Sequence, residues 1–259
     1  MKIAILGAGA YGTALGGILA NNGHSVVYYD PKLEKTSLDE TLSDAKMIVL
    51  CIPSNSVPHM LKYLPKKVPL VCASKGILSD EMFSEFKDFM VLSGAGFADD
   101  IKAGKKTELT ATDSRIMDLF KADFIKYDLT RDVKGVLMCG ALKNVYAFLA
   151  GLSNLKRGTA LHKLFIDEAA MEMGEVLAAN GADKDTVKLA CGRKDLELSC
   201  GLPSRNYEFG HIIRENPKAK AEKTVEGISA INRIKRGEIV VPSYAVKLKE
   251  LLLRSREWS

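Results

Sequence analysis

Residues 2–6, Lys-Ile-Ala-Ile-Leu, form a short apolar run rich in β-branched side chains, the pattern of a buried parallel strand. The run passes straight into Gly7-Ala8-Gly9-Ala10-Tyr11-Gly12. A helix is expected over 11–21, closed by Asn22-Gly23, and a second strand over Ser25–Tyr29. Three glycines at that spacing, between a strand and a helix, leave few folds open. Gly7 makes the tight turn, Gly9 lets a ligand approach the backbone, and Gly12 lets the helix lie close to the strand. The helix N-terminus offers its first N–H groups and a positive dipole end, which suits a pyrophosphate. Taken alone, the turn could also be a ligand-free βα corner. Asp30, eighteen residues after Gly12 at the end of the second strand, argues for a dinucleotide, because a carboxylate there accepts hydrogen bonds from ribose hydroxyls. It also repels a 2′-phosphate, which favours NAD over NADP, while Lys32 and Lys35 soften that preference. Its competing role is that of a surface-turn aspartate before Pro31.

The buried-strand pattern repeats at Lys46–Ile52, Val68–Ala73 and Phe89–Ser93. Helical segments are expected near 55–63 and 80–87, and two further strands near 107–111 and 124–128. Strand alternating with helix predicts a doubly wound parallel sheet covered on both faces, the Rossmann-type α/β class. The texture changes near Thr130. Helical segments follow at 131–151, 159–180, 184–191, 204–215, 225–236 and 243–254, punctuated by Gly181, Gly201, Pro203, Pro217, Gly237 and Pro242. The expected organisation is a dinucleotide-binding domain over 1–129 and an all-helical substrate-binding and catalytic domain over 130–259, meeting along a crevice. In a chain of 259 residues either half can bury a core.

One helical segment, Gly135–Leu152, is almost wholly apolar and about as long as a short membrane span. Lys143 and Asn144 at its centre would be costly in lipid, so it reads as a buried helix and no integral membrane segment is expected. Lys143 is its only charge. A lysine in apolar surroundings loses solvation, which favours the neutral amine and lowers its pKa toward the range useful for proton transfer. The alternative is a lysine snorkelling from a helix end.

Composition closes off other classes. The formal charge of +5 is mild, and no basic and aromatic cluster forms a nucleic-acid face, so no nucleic-acid partner is expected. Lys218 to Lys223 alternates with Ala and Glu and reads as a solvated helix face. Cys51, Cys72, Cys139, Cys191 and Cys200 are odd in number and scattered, with no C-x-x-C pair. That argues against disulfides or zinc and for a reducing, cytoplasmic location. Met-Lys leads directly into a strand, so no cleaved leader is expected. The four histidines have no metal-ligand spacing, no metal is expected, and no G-x-S-x-G elbow is present.

Several segments in order carry a more specific likeness: Gly7 to Ala14, Ile52-Pro53-Ser54, Ser74-Lys75-Gly76-Ile77, Gly140 to Val145, Ser204-Arg205-Asn206 and Val225-Glu226-Gly227. In these the chain resembles the NAD(P)-dependent glycerol-3-phosphate dehydrogenase family over nearly its whole length. The resemblance implies interconversion of dihydroxyacetone phosphate and sn-glycerol 3-phosphate, which supplies the backbone of phospholipids. It also implies a homodimer and a helical domain like the C-terminal part of 6-phosphogluconate dehydrogenase. By the same likeness Lys143 is the general acid/base, Lys75 contacts substrate and orients its carbonyl, and Asp195 pairs with the catalytic lysine and substrate. Arg205 and Asn206 bind the substrate phosphate, with Arg205 also reaching the cofactor, and Ser199 stands where relatives carry Thr or Ser. Pro53, Ala98 and Glu226 join Gly7, Gly9, Ala10, Tyr11, Gly12, Asp30 and Lys75 around the cofactor. Location supports part of this independently. Lys75 follows an apolar strand at the carboxyl edge of the sheet, where ligands of such folds bind. A guanidinium fork at a helix start also suits a phosphate dianion. The humbler readings are a loop lysine at 75, a helix-start carboxylate at 195 and an ordinary N-terminal glutamate at 226.

The chain departs from the family at three places. Gly94-Ala95-Gly96-Phe97-Ala98 replaces the usual Gly-Pro-Ser-Phe-Ala, so Gly94 and Gly96 offer the substrate backbone N–H groups only. The stretch between Asp30 and Lys46 is short, and Cys191-Gly192-Arg193-Lys194-Asp195 replaces a glycine-rich run. Two alternatives to the family reading remain: a related reductase of a 2-keto or 3-hydroxy acid, such as a ketopantoate reductase, and a non-catalytic NAD-binding sensor.

Overall fold

The computed structural model describes residues 1–33, 36–221 and 225–254. The chain divides into two compact units, one of Met1–Ser74 with Ser79–Val133, the other of Lys75–Leu78 with the chain from Lys134 onward. The changeover falls at the start of a long helix, and the four residues Lys75–Leu78 leave the strand unit to join the helical one.

The first unit is built on a sheet of β1 (Lys2–Leu6), β2 (Ser25–Tyr29), β3 (Met47–Leu50), β4 (Leu70–Cys72), β5 (Phe89–Ala95), β6 (Thr107–Ala111) and β7 (Ile125–Leu129). The strand order is β2-β1-β3-β4-β5-β6-β7. Strands β1 to β5 pair in parallel, in a register that sets Leu6 beside both Tyr29 and Leu50, and Leu50 beside Cys72. Gly7, Asp30, Cys51 and Ala73 therefore leave the sheet along one carboxyl edge. The sheet is not wholly parallel, because β6 runs antiparallel to β5. The link over 96–106 is shorter than the dozen or more residues a parallel crossover needs, so the chain turns back. Short helices α2 (Leu38–Leu42), α3 (Val57–Met60), α4 (Ala98–Lys102) and α5 (Ser114–Leu119) join the longer α1 (Ala10–Asn21) around the sheet. The core between sheet and helices includes Ile3, Ile5, Leu15, Leu19, Val49, Val71 and Leu109, all fully buried. The helix expected at 80–87 is only a 3₁₀ turn over Asp80–Phe83. Phe83 instead stacks on Phe89 with ring centroids 4.0 Å apart, and so short a helix has little stability of its own to oppose that packing.

The second unit contains α6 (Val133–Leu152), α7 (Ala160–Ala179), α8 (Asp195–Ser199), α9 (Arg205–Glu215), α10 (Glu226–Lys235) and α11 (Val246–Arg254). Helix α6 is long and apolar enough to cross a membrane by length and composition, but 94% of its apolar window is buried inside the protein. It is a core helix, and its apolar residues point every way because neighbours cover it all round.

Two helical expectations fail here. The segment 184–191 is a 3₁₀ turn over Lys184–Lys188, then extended Leu189, then a wide turn over Ala190–Lys194. Gly192 interrupts that turn with φ −94° and ψ −106°, and a Cβ there would sit 2.1 Å from the Val187 carbonyl oxygen. The lysine-rich stretch is not a helix face: Pro217 and Lys218 form a turn and 219–221 are irregular, while Lys223 lies outside the described residues.

Candidate active site

The glycine turn follows from two close approaches. Gly7 takes φ +104°, and a Cβ on it would lie 2.5 Å from the Cys51 carbonyl oxygen. A Cβ on Gly12 would lie 2.0 Å from the Gly7 carbonyl oxygen, so both positions exclude any side chain. Gly9 differs, because a Cβ there meets nothing within 4 Å. It is the residue before α1, and no side chain caps the helix there. An uncapped helix start beneath open space is what a pyrophosphate requires. Ala10 is exposed at the first helical position, and Tyr11 lies half-buried against the core. Ala98, the first residue of α4, packs on the same core, and Pro53 is exposed beyond β3.

Asp30 is tied into this turn. Its Oδ2 accepts from the Ala8 N–H at 3.0 Å, and its Oδ1 accepts from the Lys32 N–H at 3.0 Å. One carboxylate thus anchors the glycine loop and makes the surface turn, using two of its roughly four acceptor positions. Lys32 is exposed, and Lys35 lies outside the described residues. Gly94 sits buried within β5 at φ +141°, and Gly96 lies just past its end. A Cβ on Gly96 would come 2.7 Å from Thr107 Cγ2, so a serine there would have to displace that side chain.

In the helical unit the structure brings Lys75, Lys143, Asp195 and Ser199 together. Asp195, at the start of α8, has a side chain only 2% exposed. Its Oδ2 accepts from Lys75 Nζ at 2.9 Å and its Oδ1 from Lys143 Nζ at 3.2 Å. Lys143 also donates to Ser199 Oγ at 2.9 Å, and Ser199 donates to Asp195 Oδ1 at 3.4 Å. Burial pushes the Lys143 ammonium down to about 8; the Lys75 charge pushes the same way, and the Asp195 carboxylate opposes both. Burial alone would raise the Asp195 carboxyl, but the Lys143 and Lys75 charges and their hydrogen bonds hold it below the ordinary range. Burial also raises the neighbouring Cys200 thiol, which stays protonated. Two cations share one carboxylate, so the cluster carries an excess positive charge that suits an anionic substrate.

Arg205 is exposed at the start of α9, whose preceding residue Ser204 provides no side-chain cap. Among the described residues its guanidinium has no ion-pair partner. Asn206 is less available than its neighbour. Its Oδ1 accepts from the Gly227 N–H at 2.8 Å and its Nδ2 donates to Asn144 Oδ1 at 2.9 Å, which leaves one N–H. Glu226 is half-buried at the first position of α10. Asn144, next to Lys143, also donates to the Gly140 carbonyl at 3.1 Å, so its amide links α6 to α9.

Residues beyond the sequence reading hold the cluster's surroundings. Arg157 Nη2 donates to the Leu198 carbonyl at 2.6 Å, and buried His162 Nε2 lies 3.0 Å from the Cys200 carbonyl. Both brace the end of α8 that carries Ser199. Arg233 donates to the Ile77 carbonyl within the Lys75 segment. Backbone carbonyls as partners leave no pattern in the sequence. Among the described residues no group of three or more His, Cys, Asp or Glu could hold a metal ion.

A strand unit with a dinucleotide turn and a helical unit with a buried, acidified lysine define a nicotinamide-dependent oxidoreductase. Residues 2–37 and 29–117 match the N-terminal model of NAD-dependent glycerol-3-phosphate dehydrogenase, and residues 132–240 match its C-terminal model. The glycerol-3-phosphate dehydrogenase, NAD(P)+, of Leptospira biflexa is 31% identical, over 92% of this chain and 85% of that protein. The corresponding protein of Citrifermentans bemidjiense is 32% identical, over 81% and 77%. The crystal structure of glycerol-3-phosphate dehydrogenase from Coxiella burnetii shares the fold, with a TM-score of 0.81 over 98% of this chain and 95% of that one at 22% identity. The chain belongs to the NAD-dependent glycerol-3-phosphate dehydrogenase family.

Proposed function

We propose that this chain interconverts dihydroxyacetone phosphate and sn-glycerol 3-phosphate, with Lys143 as the general acid/base. The observation that carries the assignment is the buried Lys143 ammonium, lowered to about 8 and held by Asp195 and Ser199. Bound NAD(P) supplies or accepts the hydride at the substrate's central carbon. Gly7, Gly9, Ala10, Tyr11 and Gly12 hold its pyrophosphate, and the remaining acceptor positions of Asp30 receive ribose hydroxyls, which favours NAD. Pro53, Ala98 and Glu226 line the cofactor's path.

During reduction Lys143 gives its proton to the carbonyl oxygen as that oxygen gains charge. Lys75 hydrogen-bonds the same oxygen, orienting the carbonyl and stabilising the developing alkoxide. Asp195 keeps both ammonium groups in place, and Ser199 Oγ holds the Lys143 amine in line once its proton has gone. Arg205, with the last N–H of Asn206, binds the phosphate, and Gly94 and Gly96 offer backbone contacts. The oxidation runs through the same groups in reverse. The product feeds phospholipid synthesis. Five unpaired cysteines support a cytoplasmic location, and family kinship supports a homodimer.

Steady-state oxidation of NADH and of NADPH with dihydroxyacetone phosphate, set against ketopantoate, tests this reading. Turnover of the phosphate with NADH preferred is expected. Turnover of ketopantoate alone would overturn the substrate assignment, and Lys143→Ala with unchanged turnover would overturn the role of the lysine.

A further inference from the structure

The segment Lys75–Leu78 is bound covalently into the strand unit at both ends yet clusters with the helical unit. Ile77 and Leu78 are buried, which gives the segment adhesion but little direction, because apolar contact is not directional. Direction comes from Arg233 near the end of α10. Its Nη1 donates to the Ile77 carbonyl, and its Nε and Nη2 are held by Glu238. The guanidinium is a rigid planar fork, so fixing one edge on Glu238 aims the other edge at Ile77. At the opposite end of the same helix, the Gly227 N–H holds Asn206, which holds Asn144 beside Lys143. Gly227 and Arg233 are six residues apart, roughly 9 Å along the helix axis. One rigid helix therefore ties together the backbone two residues from Lys75 and the side chain next to Lys143.

We infer that Arg233 is a positioning residue for the reaction, setting Lys75 against Asp195 through the Ile77 carbonyl. The inference rests on the assignment of Lys75 made above. If Lys75 drifts away from the cluster, Asp195 pairs with Lys143 alone. The groups facing the Lys143 amine are then Asp195, Ser199 and Cys200, without the second ammonium. Lys143 holds its proton more tightly, and the alkaline limb of the reduction profile moves to higher pH. A substitution that merely weakened the fold would lower the amount of active enzyme without moving that limb.

The test compares Arg233→Ala, Arg233→Lys, Arg236→Ala and Lys75→Met in the full chain. The readouts are kcat/KM for dihydroxyacetone phosphate across pH, NADH binding and thermal melting. Arg233→Ala is expected to lower kcat/KM on the order of tenfold at neutral pH, the scale of one lost charge-assisted hydrogen bond. It is expected to shift the alkaline limb upward and to leave NADH binding intact. Arg233→Lys, which keeps a cationic donor for Ile77, recovers most of the loss. Arg236→Ala removes a surface partner of Glu238 and stays at the wild-type rate. Wild-type turnover in Arg233→Ala, or a loss with an unmoved limb, overturns the inference while a slow Lys75→Met keeps the Lys75 assignment standing. Wild-type turnover in Lys75→Met overturns both.

Discussion

Asp195→Asn isolates the electrostatics of the site with a nearly isosteric change. In the wild type the carboxylate accepts from Lys143 at 3.2 Å and from Lys75 at 2.9 Å, with its side chain 2% exposed. The amide keeps an acceptor oxygen but loses the charge. A hydrogen bond to a charged group contributes about 1.5–3 kcal/mol, and one pKa unit is about 1.4 kcal/mol, so Lys143 loses roughly 1–2 units. Its pKa falls from about 8 to the region of ~6.5. At pH 7.5 the protonated fraction then drops from about three quarters to about a tenth, a loss of about eightfold from protonation alone. Dihydroxyacetone phosphate reduction, followed by NADH absorbance from pH 5.5 to 9.5, should show the alkaline limb moving down by that interval. The oxidation direction, which uses the neutral amine, should show its acidic limb moving down with it. Loss of Lys75 positioning lowers the plateau further. A limb that stayed near pH 8 or moved upward would refute the claim that Asp195 holds the Lys143 proton.

The cofactor turn makes a paired prediction. Gly12→Ala forces a Cβ against the Gly7 carbonyl and should lower the melting temperature, with overpacking costing about 1–3 kcal/mol. Gly9→Ala meets no protein atom, so it should melt like the wild type while NADH binding, read by fluorescence, weakens. Asp30→Ala removes the anchor of the Ala8 N–H and the acceptors for the ribose hydroxyls, so it should weaken NADH more than NADPH and narrow the preference, as measured by the KM of each. Arg205→Ala should raise the KM for dihydroxyacetone phosphate about tenfold or more, the scale of lost charged hydrogen bonds, and affect unphosphorylated dihydroxyacetone turnover much less. Lys143→Ala should abolish turnover by a factor of at least about 10² while NADH still binds, as read by the same fluorescence.

The strands were legible because each is a short apolar run between turn signals, and their ends fell within a residue or two of expectation. Strand direction was less so. It depends on the length of the link over 96–106, not on the periodicity of β5 or β6. The site divides in the same way. Lys143 stood out as the only charge in the apolar run Gly135–Leu152, a contrast that needs no partner to be seen. Asp195 did not stand out, because the two lysines it meets lie 120 and 52 residues away along the chain. Asn206 was recognisable as a polar residue beside Arg205, yet most of its amide is spent on Gly227 and Asn144. Sequence reports donor and acceptor types; it does not report which have already been satisfied. Arg233 was invisible for the same reason, since its contact with the Lys75 segment is to a backbone carbonyl.

The three-residue cluster explains why one carboxylate serves two lysines. Facing Asp195 alone in a buried site, Lys143 would be held as a locked ion pair, and its proton would be hard to release near neutral pH. Without any carboxylate, burial would leave it largely neutral, with no proton to give. Lys75 takes one oxygen of Asp195 and leaves Lys143 the other, so the carboxylate offsets only part of the burial and the amine is lowered to about 8. The excess positive charge has a second effect, because it favours a substrate whose reacting oxygen becomes negative and whose far end is a phosphate. The proton donor and the preference for anions are therefore one electrostatic arrangement, set by the burial of Lys143 together with where Lys75 and Asp195 are held.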